Sequence, residues 1–152
     1  MFHRILAPTD GSPVANLALP PAADLARRSG AALTLLYVVP PPLIGVFAEG
    51  AASVSDHEDT RERLLEDGAR VVCREANGQP VAAVIADEVE RGGADLVVMG
   101  THGRSGLTHF FLFFLGSVAE AVLRQVRVPL LLIRAPAQGV REDRTKRRPA
   151  RP

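Results

Sequence analysis

Gly100-Thr101-His102-Gly103 and, beyond a twelve-residue spacer, Gly116-Ser117 are the residues whose types and spacing could hold an anion. A strand-like run, Ala94 to Met99, feeds into them, and a helix-like stretch, Ser117 to Leu123, leaves them. Glycine at a strand end lets the backbone turn sharply and approach a ligand closely, because no Cβ intervenes. A Gly-Ser pair opening a helix turns unpaired N–H groups and the positive end of the dipole outward, which suits a phosphate. Strand, glycine loop and helix start together describe a nucleotide phosphate site. Taken alone, the pattern is suggestive and no more.

Other reactive side chains carry two readings each. Asp10, in Thr9-Asp10-Gly11-Ser12, is either a turn former or a ligand contact, since Asp is favoured in such turns. Ser117 and Glu120 have capping-box spacing, which would explain both without a ligand. Arg104 either pairs with phosphate or is solvated. No Cys or carboxylate accompanies His102 and His109 at ligand spacing, which argues against a metal centre. Lys146 is the only lysine and lies near the end of the sequence, so a P-loop lysine or a Schiff-base lysine is excluded from the rest. No nucleophile, base and orienting group stand together. No catalytic residue is assigned, and an enzyme reading rests only on slow hydrolysis of a bound nucleotide.

The elements that must position these residues alternate. His3–Ala7 reads as a short strand, and Ser12-Pro13 as N-cap and first helical residue. Val14, Leu17, Ala18, Ala22, Leu25 and Ala26 then recur at helical spacing, closed by Gly30. Pro20-Pro21 must kink that helix or restart it, because each proline removes a backbone donor. Ala32–Val39 is a nearly continuous apolar run, as in a parallel strand buried on both faces, and Pro40-Pro41-Pro42 end it. Residues 43–54 lack a clear period and read as a loop, and Ser55–Asp67 as a charged surface helix. Ala69–Cys73 is either a third strand or a continuation of that helix. Asn77–Pro80 turns into a helix carrying Val81, Val84, Ile85 and Val89, closed by Gly92-Gly93. After the glycine loop, the last helix carries Val118, Ala121, Val122 and Val126 on one face, with Arg124 and Arg127 complementing its negative end. Val128–Arg134 is the fifth strand. Strands alternating with helices imply a doubly wound α/β sheet, with ligands at the carboxyl ends of the strands near the switch point. Pro8-Thr9-Asp10, Val38-Val39 and the glycine loop converge there.

With 152 residues, 47% of them hydrophobic and 23% charged, the chain has the composition of a single globular domain. The net charge of +1 argues against a nucleic-acid binder, although it is unevenly spread. Residues 135–152 hold six basic and two acidic groups, a net +4, which leaves 1–134 at −3. That basic tail reads as disordered. No apolar run has membrane-spanning length, and no signal-like stretch precedes Ile5-Leu6. The lone cysteine, Cys73, fits a reduced cytoplasm. Four of the six phenylalanines lie in Phe110–Leu115, either packed under the loop or exposed as an assembly patch.

From His3 to about Arg134 the chain resembles the universal stress protein family. The resemblance rests on Ile5-Leu6-Ala7-Pro8-Thr9-Asp10-Gly11-Ser12, on Leu35–Val38, on Gly92–Leu107 and on Gly116-Ser117-Val118-Ala119-Glu120. It implies a three-layer, Rossmann-like parallel sheet of five strands in the order 3-2-1-4-5, with residues 1–134 as the domain and 135–152 as a tail. It also implies homodimers built partly through the last strand, Val128–Arg134, with higher assembly left open. Many members bind ATP and others bind no nucleotide. ATP-binding members carry Gly-x2-Gly-x9-Gly-Ser/Thr, and the spacer Arg104–Leu115 here is three residues longer. Carried over by position, Asp10 and the backbone of Val38 would meet adenine, with Ala7, Pro8 and Thr9 forming that wall. Met99 and Gly100 would lie under the ribose. Gly103, Arg104, Gly116, Ser117 and Val118 would hold the triphosphate, with Mg²⁺ or Mn²⁺ on the phosphates. The expected function is a cytoplasmic, ATP-binding stress-response protein. The alternative is a nucleotide-free interaction protein whose enlarged loop blocks the pocket or mediates assembly.

Overall fold

The apolar runs form a parallel sheet in the order β3-β2-β1-β4-β5 in the computed structural model, which describes residues 1–39, 64–66, 68–101 and 116–134. Along the chain the elements are β1 (Arg4–Thr9), α1 (Pro13–Asn16), α2 (Leu19–Ser29), β2 (Ala32–Val39), β3 (Arg70–Glu75), α3 (Val81–Gly92), β4 (Leu96–Gly100), α4 (Ser117–Gln125) and β5 (Leu130–Ile133). This is the doubly wound α/β architecture expected from the alternation of strands and helices. The loop at 43–54, most of the expected helix Ser55–Asp67, the spacer with its phenylalanines and the tail lie outside the described residues. Within them, 64–66 are helical.

Successive strand residues point to opposite faces, and each face is capped by helices. Ile5, Ala7, Leu33, Leu35, Leu96 and Val98 pack with Leu19, Ala22 and Ala26 of α2. Leu6, Leu36, Val72, Val97 and Met99 pack with Ala82, Ile85 and Val89 of α3 and with Ala119 and Val122 of α4. Three layers follow from that sorting. Fully burying each of the larger aliphatic side chains contributes about 1.5–3 kcal/mol, so the central strands hold most of the stability.

The prolines decide where the first helical segment divides. Pro20 has no N–H for the carbonyl of Asn16, and Pro21 has none for that of Leu17. The chain therefore ends α1 at Asn16, passes through Leu17 and Ala18, and restarts as α2 with the prolines in its first turn. There a missing N–H costs nothing within the helix. Of the two outcomes open to this segment, restart is the one realised, and Gly30 closes α2 in a left-handed conformation.

Three expectations are corrected. The third strand is a strand, but it runs Arg70–Glu75, and its Cys73 is exposed. The fifth strand is shorter than Val128–Arg134, because Pro129 cannot donate; its carbonyl still accepts from Val97 N at 3.0 Å. On α4 the buried positions are Ala119 and Val122, whereas Val118 is 38% exposed.

Candidate functional site

Pro8 opens the sheet at its switch point. Along β1 the even-numbered residues turn their backbone groups toward β4 and the odd-numbered ones toward β2. Arg4 O accepts from Asp95 N at 2.9 Å, and His3 O from Ala32 N at 2.9 Å. The N–H that Pro8 lacks is thus one that would have reached β4. Pairing of β1 with β2 continues to Thr9–Tyr37, but pairing with β4 covers only Ile5–Leu96 and Leu6–Val97. β4 itself runs on to Gly100, held by β5. Beyond Leu6 no further β1–β4 rung forms, and folds of this kind take ligands outside the carboxyl ends of the strands at this switch point.

One side of that switch point is the turn after β1. Asp10 Oδ1 accepts from Ser12 N at 2.9 Å, and Thr9 Oγ1 accepts from Gly11 N at 3.1 Å. Ser12 caps α1 as its spacing with Pro13 foretold, its Oγ accepting from Ala15 N at 3.2 Å. Gly11 has φ +78°, so the turn requires a residue without a Cβ penalty there. The Tyr37 ring lies over it, with Cε1 3.8 Å from where a Cβ would sit. Asp10 thus performs the turn role that its type allows. Ala7, Pro8 and Thr9 are buried, and Val38, one residue past the Thr9–Tyr37 rung on β2, is half-buried.

The facing wall comes from β4 and α4. Met99 is 6% exposed, and Gly100 ends its strand opposite Ile133. Thr101 N then donates to Ile133 O at 3.0 Å, and Gly116 N donates to Thr101 O at 2.8 Å. That second bond fixes the start of α4 at the end of β4. Thr101 and Gly116, which flank residues 102–115, are therefore held together by one hydrogen bond. Gly116 is the N-cap residue, and its carbonyl accepts the first helical bond, from Glu120 N at 2.9 Å. The amides of Ser117, Val118 and Ala119 precede that bond, and a helix offers no carbonyl to such groups.

The capping box anticipated from Ser117 and Glu120 does not form. The helix starts one residue earlier than that motif requires, which places Ser117 inside the first turn. Glu120 Oε1 instead accepts from Arg124 Nη2 at 2.5 Å. Gly103, Arg104, His102 and His109 lie outside the described residues. Among those described, no group of three His, Cys, Asp or Glu side chains gathers to hold a metal, and no helix is long and apolar enough to cross a membrane. A cleft of about 240 Å³ lies at the other end of the sheet, between the C-terminal ends of α3 and α4. It takes no part in this constellation.

Sequence reasoning missed Asn16, whose side chain reaches back to the turn: its Oδ1 accepts from Thr9 Oγ1 at 2.8 Å, and its Nδ2 lies 3.4 Å from Gly11 O. The one available signal was a polar amide within an apolar helical pattern, four positions before a proline.

The universal stress protein family model matches residues 1–134. The chain belongs to the universal stress protein family. Among its relatives, universal stress protein MJ0531 of Methanocaldococcus jannaschii is 33% identical over 147 residues, covering 90% of this chain and 84% of that protein. The solved structure of UspA from Lactobacillus plantarum superposes with a TM-score of 0.67 at 25% identity, covering 87% and 97% of the two chains. A universal stress protein solved in complex with cAMP superposes with a TM-score of 0.61 at 24% identity, over 89% and 98%. The family assignment and the 3-2-1-4-5 sheet thus agree with the resemblance and the architecture expected from the sequence.

Proposed function

We propose that this universal stress protein binds ATP in the crevice between β1 and β4 and acts through the bound state rather than through rapid turnover. The observation that carries this reading is the Gly116 N–H···O=C Thr101 bond, which sets the first turn of α4 beside the opened end of β4. Amides at a helix start and its positive dipole suit a polyphosphate. The Asp10 turn and Val38 stand on the other side, where a base would lie. In this assignment Asp10 and the Val38 backbone meet adenine, against Ala7, Pro8 and Thr9. Met99 and Gly100 support the ribose. Gly103, Arg104, Gly116, Ser117 and Val118 hold the phosphates, which would bring Mg²⁺ or Mn²⁺ with them. A protein of this fold has been solved with cAMP, which makes an adenine nucleotide the natural first ligand to test.

Residues 1–134 form the binding domain in this reading, with 135–152 as an appended basic tail, and the cytoplasm is its compartment. The protein pairs with a second copy through β5, whose apolar Leu130–Ile133 edge leaves Leu131 39% exposed. An uncovered apolar edge strand is a ready template for another chain. Leu131→Lys then yields monomers by sedimentation, with the fold unchanged by circular dichroism.

The decisive experiment is calorimetric titration of nucleotide-stripped protein with ATP. Saturable binding, abolished in Gly116→Val, supports the proposal. Absence of heat at millimolar ATP refutes it and leaves the nucleotide-free interaction protein, a reading favoured by a spacer three residues longer than that of ATP-binding members.

A further inference from the structure

We infer that Asn16 is a positioning residue that presets the Asp10 turn for the base of the nucleotide. This rests on the ATP reading above and adds to it the element that makes the site prefer adenine.

Asn16 grips the two residues that flank Asp10. Its carbonyl takes the single hydroxyl proton of Thr9, at 2.8 Å, while the same Thr9 oxygen accepts from Gly11 N at 3.1 Å. Its amide nitrogen faces the Gly11 carbonyl at 3.4 Å. The opposite orientation of the amide would set two oxygens against each other at Gly11, so the donor pattern selects this one. Thr9, Gly11 and Asn16 close a ring of polar contacts, and Asp10 projects from it. Asp10 is further tied to Ser12 N at 2.9 Å.

The prolines put Asn16 where it can do this. A helix uninterrupted from Pro13 to Ser29 would continue past Asn16, whereas the break enforced by Pro20 and Pro21 makes Asn16 the last residue of a one-turn helix. From there its side chain turns back over the residues that precede the helix. Thr9 is 6% exposed, so its contact with Asn16 is shielded from competing water. A turn ordered before the ligand arrives does not have to be ordered by it, and this raises affinity without a new contact. The gain falls on the base, because this turn faces the adenine end. In that reading the phosphates rest on α4, at the facing wall.

The test is competition between ATP and GTP, which share their phosphates and differ in the base, on wild type, Asn16→Ala, Asn16→Asp, Thr9→Val and Thr9→Ser. Asn16→Ala and Thr9→Val are expected to lower the preference for ATP over GTP roughly tenfold. Asn16→Asp should lower it further, since a carboxylate cannot donate to Gly11 O and sets a charge beside Asp10. Thr9→Ser keeps the hydroxyl that Asn16 receives, so it should lose less of the preference than Thr9→Val. If ATP and GTP weaken together, or the preference is unchanged while wild type binds ATP, the positioning role is wrong and the ATP site stands. If wild type binds neither nucleotide, both this inference and the ATP reading fall.

Discussion

The two ends of the sheet are built on different plans. At the amino end, Asp95 at the start of β4 ties directly to the start of β1. Its Oδ2 accepts from His3 N at 2.8 Å and lies 3.2 Å from the His3 ring, while its Oδ1 accepts from Arg4 N at 3.0 Å. Arg4 Nη1 donates to Gly92 O at 3.2 Å, so the end of α3 joins the same knot. These contacts join residues about ninety positions apart. At the carboxyl end, the contacts that shape the first turn join residues two to seven positions apart, from Thr9 to Asn16. At one end β1 is tied to β4; at the other the turn that follows β1 is held by its own residues. Where each loop is made rigid on its own account, the space between loops can remain for a ligand, and a functional site can be precise without being closed.

A pair of left-handed glycines offers the largest test of that contrast. Gly11 (φ +78°) sits in the turn at the carboxyl end, and Gly93 (φ +61°) in the knot at the amino end. Alanine at either position bears the left-handed penalty, about 1–2 kcal/mol. The thermal midpoint should then fall by about 2–4 °C per kcal/mol in a chain of this size. A Cβ at Gly93 would also stand 2.9 Å from Arg4 Nη1, the far end of a flexible side chain that can move aside. The two variants therefore lose similar stability in thermal melts. Only Gly11→Ala, which disturbs the turn beside Asp10, should weaken ATP in calorimetry, by roughly tenfold. Equal losses of affinity in both would mean that the two ends are not independent.

The same contrast explains what the sequence disclosed. Strands such as Ile5–Ala7 and Leu96–Met99 are buried on both faces, so their apolar runs are unbroken and mark themselves. Caps and turns made by adjacent residues were equally legible: Ser12-Pro13 opened α1 as read, and Asp10 took its turn role. What escaped depends on which way a backbone group faces. Pro8 ends the β1–β4 ladder only because its missing N–H points to β4 rather than β2, and that follows from register, not residue type. The helix of α4 starts at Ser117 as read, but its N-cap is Gly116, which accepts the first helical bond, and no capping-box pattern announces that. Asn16 was concealed inside an apolar periodicity to which its backbone conforms while its side chain does not.

A smaller effect is expected where the sheet meets α3. Arg74 Nε on β3 donates to Glu88 Oε2 at 2.9 Å, and Glu88 is buried to 7% exposure. Arg74 stands opposite Val38 in the sheet register, next to the proposed adenine wall, yet its contact reaches down to α3 rather than into the loops. Glu88→Gln keeps the shape and removes the charge. It should cost roughly 1 kcal/mol in urea denaturation, because Arg74 is partly exposed and water replaces much of what is lost. Nucleotide affinity should change less than twofold, about 0.4 kcal/mol. A loss of affinity larger than the loss of stability would place this ion pair in the site.

The smallest effect at neutral pH belongs to Asp95, where the contacts are long in sequence but lie at the surface, and pH is the variable that exposes them. The Arg4 backbone N–H is the chief influence holding the Asp95 carboxyl below its ordinary value; desolvation opposes it, and the His3 N–H and ring add to the lowering. A carboxyl whose pKa is depressed on folding stabilises the protein fully above its unfolded value, about 4, and loses that contribution as pH falls through the folded value. Asp95→Asn is uncharged at every pH. In urea titrations it should be less stable than wild type at pH 7, and the gap should narrow below about pH 4 as the wild-type carboxylate is protonated. ATP affinity at pH 7 should be the same in both, since this residue lies at the opposite end of β4 from the crevice. A gap that stays constant down to pH 2 would show that the knot is held by shape alone, and the ionised carboxylate would then have no share in keeping β1 and β4 together where they are paired.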